Sequence, residues 1–174
     1  MNLRDPGSVR LVSSTGALVE LRPTGYQFSQ AGRAEAGGAD CTAESYADWD
    51  ANWLVIRGDV TAADGRSWSF TDPCLTAWEA ERLSAWLDAV SRDAADRDAA
   101  VFTEPNVSFF IDGRDRDWVR MRVRFSHESL PGWLPRDVAG WQAGEYFVAL
   151  EVTTADLAGA ARAWDRERQA FPAR

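Results

Sequence analysis

A chain of 174 residues with 45% hydrophobic content is long enough to bury a core without disulfide or metal staples. Its formal charge of −8 argues against nucleic acid or an anionic membrane as partner and favours either plain solubility or a basic protein partner. Every basic side chain is Arg, and Cys41 and Cys74 come without a C-x-x-C pattern or a His cluster, so neither a disulfide framework nor a metal site is expected.

Taken in order, residues 9–28 read as one or two strands around the turn Ser13-Ser14-Thr15-Gly16, with Val19 and Leu21 on one face. Residues 29–52 are rich in Ala, Gly and Asp without a clean period, the signature of a long acidic loop. A hairpin follows, with strands expected at 53–61 and 66–71 around the turn dipeptide Asp64-Gly65. Leu54, Ile56 and Val60 share one parity.

The next segment, "SFTDPCLTAWEAERLSAWLD", carries Leu83, Trp86, Leu87 and Val90 at the i, i+3, i+4, i+7 spacing of a buried helical stripe. Two starts satisfy capping rules. Thr76 and Glu79 form the pattern T-x-x-E, and Asp72 followed by Pro73 offers a second.

A second extended block runs Val107, Phe109, Ile111 to a turn signal at Asp112-Gly113. Its return strand alternates cleanly, with Val119, Met121, Val123 and Phe125 on one face and Trp118, Arg120, Arg122 and Arg124 on the other. After a Pro/Gly-rich loop holding Trp133 and Trp141, a last strand places Tyr146, Val148, Leu150 and Val152 inward. A closing helix presents Leu157, Ala160, Ala161 and Trp164, and Pro172 ends it. No internal repeat is visible in the sequence. The order predicts a single α+β domain over residues 1–174, a largely antiparallel sheet with two helices packed against it.

Chemistry is harder to find. A thiol near a helix N-terminus can be activated, yet the T-x-x-E cap already serves the free N–H groups, and Asp72 opposes a thiolate. Cys74 therefore reads as a small buried hydrophobe. His127 follows Ser126, but a hydrolase would also need an orienting carboxylate and an oxyanion site, and no G-x-S-x-G motif places the nucleophile, so it reads as a strand-end surface histidine. The motif "DGRDRD" lacks the spacing of a calcium loop. No catalytic residue, cofactor or metal is expected.

Arg120, Arg122 and Arg124 are spaced about 7 Å apart along one strand face, suited either to a solvated face paired with neighbouring acids or to a partner rich in carboxylates. Asp40, Glu44, Asp48 and Asp50 in the acidic loop are the other candidate partner-facing residues. A different reading makes the chain a small-ligand or scaffold protein, with Trp133 and Trp141 lining a cleft. The N-terminal stretch has no apolar run of signal-peptide length, and nowhere do 18 apolar residues follow one another, so the cytoplasm is the expected compartment.

The landmarks "ELRPTGYQF", "WLVIRGDV", "GRSWSFTDPCLTAWEAERLSAWL", "FTEPNVSF" and "AWDRERQAFPAR" stand in this order. Together they resemble actinobacterial WapI family immunity proteins over roughly residues 19–174. The resemblance implies a non-enzymatic antitoxin that binds a cognate contact-dependent toxin domain, often a nuclease, and blocks it. An acidic protein covering a basic nuclease site would gain from steering and complementarity.

Overall fold

The computed structural model describes residues 8–28, 49–135 and 144–174. The first half is a meander of β1 (Val9–Val12), β2 (Leu18–Tyr26), β3 (Trp53–Thr61) and β4 (Ser67–Thr76), followed by α1 (Ala77–Ser91). The second half repeats that order with β5 (Ala99–Ala100), β6 (Val107–Arg114), β7 (Trp118–Ser126), β8 (Glu145–Thr153) and α2 (Thr154–Arg168). Each meander is a four-stranded antiparallel sheet whose strands lie in sequence order. The α+β class and the antiparallel pairing are as expected, with the strands divided between two sheets where α1 intervenes.

The repeat is one of topology, and the sequence hides it because only a cap recurs. Thr76 accepts from the N–H of Glu79 at 3.2 Å, and the Glu79 carboxylate accepts from the N–H of Thr76 at 3.0 Å. In the second half Thr153 accepts from the N–H of Asp156 at 2.9 Å. In both, the last strand residue is the helix cap, so strand passes into helix with no loop. Such a cap stabilises by about 1 kcal/mol.

Of the two possible helix starts, the structure selects Thr76. The strand expected to stop at 71 runs on, pairing Leu75 with Leu54 and Thr76 with Trp53. It passes Pro73 because the register shifts there, leaving Cys74 as the extra residue of a β-bulge. The same device lets β2 carry Pro23, where the shift falls between Pro23 and Gly25.

A further correction concerns Asp112-Gly113, expected as a turn. The pair lies inside β6, where Asp112 is the extra residue between Ile111 and Gly113. The chain reverses later, where the Asp115 carboxylate accepts from the N–H groups of Asp117 at 3.0 Å and Trp118 at 2.9 Å. Between β3 and β4 the expected turn holds, with Gly65 at φ +85°.

Both sheets and both helices enclose one apolar cluster. The stripe Leu83, Leu87, Val90 is buried as the spacing requires, with Trp86 partly exposed and its indole N–H donating to the carbonyl of Arg97 at 3.0 Å. From α2, Leu157, Ala160, Ala161 and Trp164 are buried, and Trp164 also ties the helices together by donating to the Ala80 carbonyl at 2.7 Å. The sheets are joined on two sides. The N–H of Glu151 donates to the Ser13 hydroxyl at 3.0 Å, and Trp68 donates to the Ser129 carbonyl at 2.9 Å while its ring meets Phe125 edge-on.

Candidate partner-binding face

The alternation of β7 sends Val119, Met121, Val123 and Phe125 into the core and leaves Trp118, Arg120, Arg122 and Arg124 on the outer face of the second sheet. The sheet register then sets their neighbours: Arg120 lies across from Glu151, Arg122 from Phe110 and Ala149, and Arg124 from Phe147 and Ser108. The sequence-predicted row is thus brought together as a row.

Each guanidinium is held differently. Arg122 Nε lies 2.9 and 2.8 Å from the two carboxylate oxygens of Asp112, and its guanidinium sits 5.2 Å over the Phe147 ring. Asp112 reaches it because a bulge residue is re-aimed relative to the regular pleat. Arg124 donates to Glu145 at 2.9 Å and to the Ser108 hydroxyl at 3.1 Å, and lies 5.7 Å over the Phe110 ring. Arg120 spreads over Gly113, where an added Cβ would come within 2.9 Å of Nη2.

The result is a lattice of stacked Arg and Phe, with the Phe110 and Phe147 rings 6.4 Å apart. Phe147 is 40% exposed and Trp118 38%. Aromatic and Arg side chains dominate binding energy at protein interfaces, and here Arg122, Arg124, Phe110 and Phe147 already brace one another. Trp118 was placed on this face from the sequence, but the Phe members were missed. Phe147 could have been found, since placing Val148 and Leu150 inward already turns it outward.

The acidic candidates are treated unequally. Asp40, Glu44 and Asp48 lie outside the described residues, as do Cys41 and Trp141. Asp50 is exposed and follows Trp49, whose ring stacks on Trp78. No hydrogen bond or ion pair among the described residues links Asp50 to the Arg row.

Elsewhere the reactive types are committed to structure. Cys74 is 1% exposed, and burial pushes its thiol well above the ordinary range, with the charges of Asp72, Glu79 and Glu104 adding to the effect. The Ser126 hydroxyl donates to the carbonyl of Pro105 and not to His127, which is exposed at φ +53° in the 3-10 turn His127–Ser129. Trp133 packs edge-on against Trp68 and Tyr146, and Arg66 lies 4.9 Å over its ring. Among the described residues no cluster of three or more His, Cys, Asp or Glu is arranged to hold a metal. Nor is any described helix long and apolar enough to cross a membrane.

A second grouping joins the two halves. The side-chain amide of Asn106 donates to Asp72 at 2.8 Å and to Glu128 at 3.1 Å. Burial, then the charges of Glu128 and Glu104, raise the Asp72 carboxyl to about 6. Sequence reasoning could not find this group, whose members lie on separate elements.

Comparison with known proteins gives one firm relationship. No curated protein and no solved structure matches the chain. The model of a family described as immunity protein WapI-like matches residues 10–172. That span takes in both sheets and both helices, and the chain belongs to the WapI-like immunity protein family.

Proposed function

We propose that this immunity protein binds a cognate contact-dependent toxin domain in the cytoplasm and neutralises it by occupying its surface, without catalysis of its own. The observation that carries the reading is the family match over residues 10–172. Supporting it are the formal charge of −8, which suits a basic partner such as a nuclease, and the preorganised Arg and Phe face of β6–β8. Arg120, Arg122 and Arg124, together with Asp40, Glu44, Asp48 and Asp50, are the partner-facing residues in this reading.

The two sets have distinct work. Acidic side chains speed encounter with a basic toxin and make the association rate fall with salt. The stacked Arg forks then meet carboxylates or carbonyls of the partner in fixed geometry. Growth protection tests the reading. Co-expression with contact-dependent toxin domains from the same genome restores growth against one of them if the reading holds, and toxicity of all of them unchanged by the immunity protein overturns it.

A further inference from the structure

Trp49 and Trp78 stack with ring centroids 5.3 Å apart and planes 29° from parallel, yet they remain 45% and 37% exposed. The same chain buries Trp164 completely, so wet indoles are not forced on it by a shortage of core. Nor are they loosely held. Trp78 sits in the first turn of α1, sealed by the Thr76 and Glu79 cap. The N–H of Asn52 donates to the Trp49 carbonyl at 3.1 Å, and the N–H of Ala77 donates to the Asn52 carbonyl at 2.9 Å. The Asn52 side chain in turn grips Arg174, donating to its carbonyl at 3.1 Å and accepting from its N–H at 2.7 Å.

Two other exposed rings already carry a cation from the chain itself, Arg66 over Trp133 and Arg122 over Phe147. Among the described residues the Trp49 and Trp78 pair carries none. Exposed Asp50 follows Trp49, and Arg82, one turn beyond Trp78, is turned to the Val101 carbonyl, to which it donates at 3.3 Å. On α1, Glu81 stands one turn beyond Trp78 with its side chain 62% exposed, reached only at 3.7 Å by Arg168, which lies 2.7 Å from Asp165.

An indole face attracts a cation through its quadrupole, and nearby carboxylates add charge attraction. We infer that Trp49 and Trp78, with Asp50 and Glu81 beside them, form an anchor for an Arg or Lys side chain of a basic protein partner. The inference deepens the toxin-binding reading and rests on it for the identity of the partner. The two rings already stack on each other, so less side-chain ordering opposes the contact than for two free indoles.

A hexa-arginine peptide serves as the probe, titrated calorimetrically into the full chain at low salt, with hexa-glutamate as the control. The wild-type chain binds hexa-arginine and ignores hexa-glutamate. Trp49→Ala and Trp78→Ala each weaken the affinity at least fivefold, and Trp78→Phe retains most of it. Trp49→Ala leaves α1 intact and keeps the test valid if Trp78→Ala unfolds. Absence of wild-type binding, or affinity within twofold in both alanine variants, overturns the anchor. Either result leaves growth protection by the wild-type chain, and with it the toxin-binding reading, to stand or fall separately.

Discussion

Asp72 and Glu128 face each other across a single side-chain amide, that of Asn106, with no cation between them among the described residues. Two carboxylates thus share one donor group at the seam between the halves. Glu104 lies close enough to add to the repulsion.

The first prediction follows from that seam. The Asp72 carboxyl is raised from 3.8 to about 6 in the folded chain, so between these values the folded state holds a proton that the unfolded state has lost. Its contribution to stability is fully present below about pH 4 and is lost as pH rises through 6. Asp72→Asn removes the charge and keeps the shape. We expect it to stabilise the protein at pH 8 by about 1 kcal/mol, allowing for the solvent screening of a half-exposed group, which is about 2–4 °C in melting temperature. The gain should shrink toward pH 5. Melting curves of the two chains that stay equally separated at both pH values would refute the assignment.

The two helix caps give the second prediction, because they do unequal amounts of bonding. Glu79 accepts from the N–H of Thr76 and from both the N–H and the hydroxyl of Thr103, the latter two at 2.8 Å. Removing it strands the buried N–H of Thr76, while the two donors of the exposed Thr103 can turn to water. Glu79→Ala should cost on the order of 2 kcal/mol, against about 1 kcal/mol for Thr153→Ala, whose cap is exposed. Urea midpoints compared at constant m-value check this ordering.

A third prediction concerns thiol access. In a Cys41→Ser background, alkylation of Cys74 at neutral pH should follow unfolding and accelerate sharply through the urea transition, because burial suppresses both access and thiolate formation. Reaction in the native state at the rate of a free thiol would show that the bulge at Pro73 opens.

Local order was the legible part of this sequence. The capping box at Thr76, the turn at Gly65 and the alternation of β7 all come from neighbours within a few positions, where sterics and periodicity decide. Long-range geometry was hidden. Asp72-Pro73 looked like a possible helix start because the bulge that keeps Pro73 in the strand depends on the register with β3. Asp112-Gly113 carried turn chemistry, but pairing with β7 turned it into a bulge that delivers Asp112 to Arg122. The stacking of Trp49 on Trp78 and the approach of Asp72 to Glu128 depend on how separate elements dock, which composition and spacing do not encode. For the site, the Arg row was readable in full, while the rings that brace it were legible only in parity.

Calorimetric titration with a toxin domain selected by growth protection, in an inactivated form, tests the central claim most directly. A one-to-one complex of micromolar or tighter affinity is expected, weakening as salt rises and weakening about tenfold in Arg122→Ala and Phe147→Ala. Absence of binding at high micromolar concentration by the folded wild-type chain would contradict it.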